Sequence, residues 1–217
     1  MSYPELLIDR RKLMHNVKTL LTMAQGCDIQ LHFVTKCLCA WRPAVEAMEE
    51  AGAEFFADSR LENLANIQDL GQSHMLVRIP MISQAMDTVR YSDLSLNSDI
   101  SAIEALSDAA LALERQHGVI LMVEMGDLRE GFLAEEIMDV AARTLNLRGV
   151  WLAGIGVNFN CYGGVIPEEK QLNQLVELAE NIRQRFDIPL PIVSGGNTGS
   201  LYMIKEGKMP RGISHLR

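Results

Sequence analysis

One pattern recurs along the 217-residue chain and limits what it can fold into: a short apolar run, polar or glycine-rich residues, then a longer segment with helical periodicity. The apolar runs are residues 31–35, 53–57, 75–79, 94–96, 119–125, 150–157 and 189–193, and the clearest helical stretches are 43–52, 60–71, 101–118, 134–146 and 167–186. Such alternation is typical of parallel βα units around a buried sheet. We therefore predict an α/β protein with a (β/α)8 TIM-type barrel, an open doubly wound sheet being the alternative.

The eighth strand of this barrel would begin at residues 214–217, where the sequence stops. We therefore expect a barrel cut at the start of its eighth strand, with an open gap that leaves backbone groups of strands one and seven unpaired. No linker or shift in composition marks a second domain, so residues 1–217 are predicted to form one barrel domain.

The charge and the apolar pattern exclude several classes of partner. A net charge of −8 has the wrong sign for binding phosphate backbones, so no nucleic-acid partner is expected. No apolar run approaches the roughly 18 residues of a membrane span, and the N-terminus lacks the apolar core of a signal peptide. The four cysteines show neither a disulfide framework nor zinc spacing. We expect a cytoplasmic protein without a membrane partner.

In a (β/α)8 barrel, active sites lie at the carboxyl ends of the strands. Polar and charged residues follow every predicted strand, and we expect them to converge on one face. They include Lys36, Asp58, Arg78, Asn97, Glu124, Asp127, Arg129, Asn158, Ser194, Asn197, His215 and Arg217.

Lys36 stands at the end of the first strand in apolar surroundings. Burial disfavours the charged ammonium form, which would free the amine to act as a nucleophile or to form a Schiff base. Two plainer interpretations stay open: a lysine that reaches solvent, or one that pairs with Asp58.

Residues 193–204 read as a strand, a glycine-rich turn and the start of a helix. Backbone N–H groups in such a turn suit a phosphate, and Asn197, Thr198 and Ser200 can add side-chain donors. The turn could also be a structural corner. The loops after strands seven and eight are, however, the favoured phosphate position in barrels of this kind.

Several motifs in this order resemble a known family. They are TK (35–36), ADSRLEN (57–63), LVRIPM (76–81), SLNS (95–98), VEMGDLREG (123–131), GIGVNFNCYGGVIP (154–167), SGGNTGSLY (194–202) and HLR (215–217). Together they resemble the pyridoxal-phosphate (PLP) amino-acid racemases that share the alanine racemase N-terminal barrel (fold type III), and within that group the ornithine racemase branch.

The resemblance implies a PLP-dependent racemase that interconverts the L- and D-forms of a basic amino acid, with ornithine favoured. Lys36 would carry PLP and would act as one base that removes the α-proton from the external aldimine. Arg129 would lie near the phenolic oxygen of PLP, Asn158 beside the pyridine ring and Arg217 opposite the pyridine nitrogen. The phosphate would bind at the turn that contains Ser194, Gly195, Gly196, Asn197 and Thr198.

Other positions depart from the alanine racemase pattern or leave roles open. Ala40 replaces a tyrosine and Met122 a lysine, which argues against alanine racemase proper. These racemases usually continue into a β-rich C-terminal domain that supplies the second base across a homodimer interface. That domain is absent from this sequence, so we expect either that the sequence is a fragment or that the second base comes from the barrel. Within the barrel, Cys161 and Tyr162 are the candidates for the second base, although both could be packing residues.

Substrate contacts are expected from Asp58, Arg78 and Asp127. A distal ammonium group on the substrate needs an acidic or carbonyl-rich pocket. Two alternatives stay open: a non-enzymatic barrel protein that binds PLP for PLP homeostasis, and a phosphate-binding barrel enzyme that uses Lys36 with a sugar or an aldehyde.

Overall fold

A computed structural model describes residues 4–160 and 164–217, and in them nine parallel strands form one sheet. The first two strands, β1 (Gln30–Leu31) and β2 (Phe33–Val34), are one barrel strand interrupted at His32. The others are β3 (Phe55–Asp58), β4 (Ser73–Leu76), β5 (Leu94–Asn97), β6 (His117–Val123), β7 (Val150–Val157), β8 (Ile192–Ser194) and β9 (His215–Leu216). The predicted TIM-type barrel is confirmed.

The ring closes through β9, which pairs with both β1 and β8. Gln30 N donates to Ser214 O at 2.9 Å and His32 N donates to Leu216 O at 3.0 Å, while Gly195 N donates to His215 O at 2.9 Å. The expected gap between strands one and seven is wrong. The two residues of β9 and the backbone hydrogen bonds beside them therefore form the eighth strand of the barrel.

Helices follow or precede the strands on the outside of the ring. They are α1 (Arg10–Gln25), α2 (Arg42–Glu50), α3 (Leu61–Ala65), α4 (Ala85–Tyr91), α5 (Ile100–Ala112), α6 (Ile137–Leu145), α7 (Glu169–Phe186) and α8 (Leu201–Lys205). In α7, a capping box between Glu168 and Gln171 fixes the first turn. Its buried stripe has the three- and four-residue spacing of a helix face packed on a sheet: Leu172, Leu175, Ala179 and Ile182.

One predicted helix is shorter in the structure, and one helix of the structure was not predicted. The stretch 60–71 is helical only at Leu61–Ala65 and continues as turns to Gly71, whose φ of 73° suits glycine. The short α4 has no counterpart among the predicted helices. No helix in the described part of the chain is both long and apolar enough to cross a membrane.

The lumen of the barrel has an apolar side and a polar side. An apolar cluster fills it from β3 to β8 and includes Ala57, Met75, Leu94, Leu96, Ile120, Met122, Ala153 and Ile192. Because side chains two residues apart share a face of a strand, Ser194 lies above Ile192, and His32 lies below Val34, which packs on this cluster. The polar side therefore lies where β8, β9 and the first strand meet, directly beneath the strand ends.

Candidate active site at the carboxyl ends of the strands

Lys36 begins a short 3-10 turn, Lys36–Leu38, just after the first strand. The side chain is exposed, so of the interpretations left open for Lys36, burial is wrong and the lysine that reaches solvent agrees with the structure. The strand ends at Val34, and the turn lifts the lysine to the rim. It lines a cavity of about 640 Å³ together with Asn197, Thr198 and Arg217. Within the described residues Lys36 forms no hydrogen bond or ion pair, so its amine is available to a ligand.

Asp58 holds the turn that presents Lys36. Its carboxylate is buried and accepts hydrogen bonds from Thr35 Oγ1 at 2.7 Å, from Arg60 N at 2.9 Å and from Asn63 Nδ2 at 3.0 Å. Thr35 immediately precedes Lys36, so the carboxylate links the ends of the first and second barrel strands. Asp58 is also fully buried, so its carboxylate has no accessible surface for the predicted substrate contact.

Asn158 connects the end of β7 with its neighbours on both sides. Its amide Nδ2 donates to Asp127 Oδ2 at 3.0 Å, and its Oδ1 accepts from Asn197 Nδ2 at 3.2 Å and from Arg217 Nη2 at 3.4 Å. Asp127 and Asn158 are both buried. The structure thus brings together four of the predicted site residues in one connected group.

Arg217 lies over the polar side of the lumen. Its Nη1 donates to Ser194 Oγ at 2.8 Å, and its Nη2 donates to the carbonyl oxygen of Val157 at 3.2 Å. Nη1 also donates to the carbonyl oxygen of Gly196 at 3.4 Å, so several acceptors on β7 and after β8 hold the guanidinium, and Arg217 lines the same two cavities as Lys36.

Hydrogen bonds of its own side chains hold the turn from Ser194 to Ser200, here called the open turn. Asn197 Oδ1 accepts from Gly199 N at 2.8 Å, and Ser200 Oγ donates to Gly195 O at 2.7 Å. Gly196 has a φ of 109°, which favours glycine. In the described part of the chain, the backbone N–H groups of Gly196, Asn197 and Thr198 make no hydrogen bond.

The remaining predicted residues are spread around the mouth. Arg129 is exposed and lines a small cavity of about 70 Å³ with Lys36, Asn158 and Arg217. Arg78 is half-buried after β4 and has no hydrogen bond or ion pair among the described residues. Cys161 and Tyr162 lie outside the described residues.

His32 was not singled out from the sequence. It is buried on the lumen face, and its Nδ1 is 2.8 Å from Nε2 of His215, whose Nδ1 is 2.9 Å from Ser194 Oγ. Burial lowers the pKa of His32 to about 3, and the nearby His74 and Arg217 add to the shift. Burial also lowers the pKa of His215 well below 6.5. The sequence contained one signal that could have predicted this position. His32 lies two residues before Val34 in an apolar run, and so on the lumen side of the strand.

Comparison with known proteins gives consistent matches. Residues 8–212 match the family described as alanine racemase, N-terminal domain. The chain is 40% identical over 216 residues to an ornithine racemase from Acetoanaerobium sticklandii, and 32% identical over 219 residues to a lysine racemase from Thermotoga maritima. These matches cover 99% and 100% of this chain but 61% of each relative, so the chain spans less than two thirds of their length.

A solved structure of PipY from Synechococcus elongatus with PLP bound is similar in fold. The TM-score is 0.74 at 18% identity, and the match covers 93% of this chain and 96% of that chain.

Proposed function

Because the chain belongs to the alanine racemase N-terminal domain family, we propose that it forms the barrel of a PLP-dependent racemase of basic amino acids, with ornithine as the favoured substrate. One observation carries the proposal: the Lys36 amine, which has no partner among the described residues, the Arg217 guanidinium and the open turn at Gly196 line or border the same cavity. The 40% identity to an ornithine racemase and the 32% identity to a lysine racemase support the substrate class.

The residues present fit PLP. The open turn offers three backbone donors that make no hydrogen bond within the described residues. A Cβ on Gly199 would lie 2.8 Å from the Asn160 Cβ, so the turn leaves little room for larger side chains. A phosphate needs such donors at close range. Lys36 would supply the amine for the aldehyde, and Arg217 would lie opposite the ring nitrogen. Arg129 and Asn158 would flank the ring.

PLP, when bound, delocalises the electron pair left at the substrate α-carbon after proton removal. The chain's own part is proton transfer and orientation. Lys36 removes or returns the α-proton on one face. Arg217 stays protonated because guanidinium does not give up its proton in proteins, so it orients the ring without protonating its nitrogen. Cys161 or Tyr162 is proposed as the base on the other face.

Substrate contacts are proposed in a revised form. Arg78 is the predicted contact that the geometry leaves available, and it would bind the substrate carboxylate. Asp127 is buried against Asn158 and would orient that amide. Glu130 lines the small cavity beside Lys36 and Arg129, so we propose it as the acidic group for the distal ammonium.

A deuterium-exchange experiment tests the proposed function. L-Ornithine, L-lysine and L-alanine are incubated with PLP-loaded protein in D2O, and α-deuterium and D-enantiomer are measured. We expect both with ornithine or lysine and much less with alanine. PLP binding without exchange on any of the three would favour the PLP-homeostasis alternative, and no PLP binding would favour the sugar or aldehyde enzyme.

We further propose a homodimer that covers the mouth of the barrel. Large apolar side chains are exposed in the loops that follow the strand ends, and they include Trp41, Met81, Ile82, Leu128, Leu133 and Ile166. Exposed apolar groups clustered around one face mark an interaction surface. Sedimentation velocity should show a dimer, and Ile82→Asp with Leu128→Asp should shift it to monomer. An unchanged dimer would place the interface elsewhere.

A cytoplasmic location is proposed as well. Three cysteines in the described residues, Cys27, Cys37 and Cys39, are exposed free thiols. Free exposed thiols fit a reducing compartment.

Thr198→Val tests the phosphate position. Thr198 is exposed at the open turn, and valine keeps the shape while it removes the hydroxyl. Loss of one hydrogen bond to a charged group should weaken PLP binding about tenfold to a hundredfold, with folding unchanged. PLP titration followed by absorbance measures the affinity, and Thr198→Ser is the matched control. Equal affinity in Thr198→Val would move the phosphate to another site.

A further inference from the structure

Four side chains form a continuous row across the polar side of the lumen: His32, His215, Ser194 and Arg217, here called the lumen row. The contacts are 2.8 Å from His32 Nδ1 to His215 Nε2, 2.9 Å from His215 Nδ1 to Ser194 Oγ, and 2.8 Å from Ser194 Oγ to Arg217 Nη1. Its first three members are buried, with His215 and Ser194 fully inaccessible. Both ends of the row, His32 and Arg217, are among the residues that line the cavity.

Arg217, the charged end of the lumen row, determines which group donates and which accepts in each of its hydrogen bonds. A guanidinium can only donate, so Ser194 Oγ accepts from Arg217. The hydroxyl proton of Ser194 is then free to go to its other neighbour, His215 Nδ1. A neutral His215 that accepts at Nδ1 carries its proton on Nε2 and donates it to His32 Nδ1. By the same rule, His32 carries its proton on Nε2.

Both histidines are neutral at pH 7, because burial lowers the pKa of His32 to about 3 and that of His215 well below 6.5. When each member donates to the next from Arg217 towards His32, one buried group has no hydrogen-bond partner. It is the Nε2–H of His32, which has no protein acceptor in the described part of the chain. The reverse direction leaves two: the His32 Nε2 lone pair and the Ser194 hydroxyl proton. Unmatched buried polar groups are costly, so the direction away from Arg217 is favoured.

We propose that Ser194 and His215, with His32 behind them, are positioning residues that hold the Arg217 guanidinium in place over the lumen. Each member fixes the proton position of the next, so Ser194 keeps a lone pair directed at Arg217 Nη1. The inference rests on the proposed function in one respect, that the group Arg217 faces is the ring nitrogen of PLP. The direction of the lumen row itself does not depend on that function.

A second buried serine–histidine pair in the chain provides a matched control. Ser95 Oγ is 2.8 Å from His117 Nε2, and both residues are fully inaccessible. Ser95 lies between Leu94 and Leu96, which point into the lumen, so Ser95 faces the helices instead. Ser95→Ala therefore removes a comparable serine–histidine hydrogen bond, and with it the bond that Ser95 Oγ accepts from Asn97 Nδ2 at 3.0 Å, without touching Arg217.

The first measurement uses the PLP-free protein. Nitrogen-15 NMR of histidine-labelled protein at pH 7 reports which ring nitrogen carries the proton, and His32→Gln and His215→Gln assign the signals. We expect both rings to be neutral with the proton on Nε2. A proton on Nδ1 of either ring, or a charged ring, overturns the proposal, and it does so whether or not the protein proves to be a racemase.

The second measurement compares Ser194→Ala with Ser95→Ala after PLP loading. We expect Ser194→Ala to weaken PLP binding about tenfold, because Arg217 loses the acceptor that holds it in place, and to shift the visible absorption of bound PLP. Ser95→Ala should leave both as in the unsubstituted protein. Unchanged affinity and absorption in Ser194→Ala, or equal changes in both variants, would overturn the positioning role. If the unsubstituted protein does not bind PLP, the proposed function fails, and the NMR result still decides the lumen row.

Discussion

Lys36→Ala is expected to abolish racemisation and covalent PLP attachment while the barrel stays folded. An acid–base group alone contributes roughly 10²–10⁴-fold to a rate, and Lys36 also provides the only proposed covalent link to PLP, so activity should fall at least about 10⁴-fold. Lys36 is exposed and unpaired within the described residues, so its loss should change the free energy of unfolding by no more than about 0.5 kcal/mol.

Three measurements check this result. Chiral analysis of ornithine gives the rate, borohydride reduction with peptide mapping locates the pyridoxyl label, and urea unfolding gives the stability. Lys18→Ala is the matched control, because Lys18 is an exposed lysine on α1, away from the strand ends. A label on a lysine other than Lys36, or an active Lys36→Ala protein, would contradict the proposed site.

The architecture was predictable from the sequence because parallel strands buried on both faces are continuous apolar runs. The run at 150–157 coincides with β7, and the predicted helix 167–186 contains α7. The closure of the ring was not predictable, since β9 has only two residues and depends on backbone bonds with Gln30 and His32. A strand that short has no periodicity of its own.

The site was predictable as a set of residues but not as a set of contacts. The order of strands brings Asn158, Asn197 and Arg217 together, as expected from strand ends on one face. The sequence could not tell whether a carboxylate faces the cavity or the turn beside it, and Asp58 faces the turn. Lys36 was expected to be buried, but whether it lies inside the barrel or on its rim depends on the one residue between Val34 and Lys36.

The second large effect expected is a loss of stability in mild acid, caused by histidines that are buried in the neutral form. Burial lowers the pKa of His32 to about 3 and that of His117 to about 4, and it also lowers the pKa of His215. In the unfolded chain these groups titrate near 6.5, so below that pH the unfolded state binds more protons than the folded state. Their contribution to stability is therefore complete above pH 6.5 and is lost as the pH falls towards the folded-state values. Below pH 6.5, each of these three histidines lowers the free energy of unfolding by about 1.4 kcal/mol per pH unit. The free energy of unfolding should therefore drop by roughly 4 to 6 kcal/mol between about pH 7 and pH 5.

Urea unfolding at a series of pH values between about 7 and 5, a range above the titration of ordinary carboxylates, measures this slope. His117→Gln should reduce it by about one proton, because that ring no longer takes up a proton on unfolding. His15→Gln is the matched control, since His15 is exposed on α1 and should leave the slope as it was. A free energy of unfolding that stays constant between these pH values would mean that the folded protein holds these histidines in the charged form, both in the lumen and between the sheet and the helices. The neutral, directed form of the lumen row would then lose its physical basis, because a charged His32 or His215 would donate at both nitrogens.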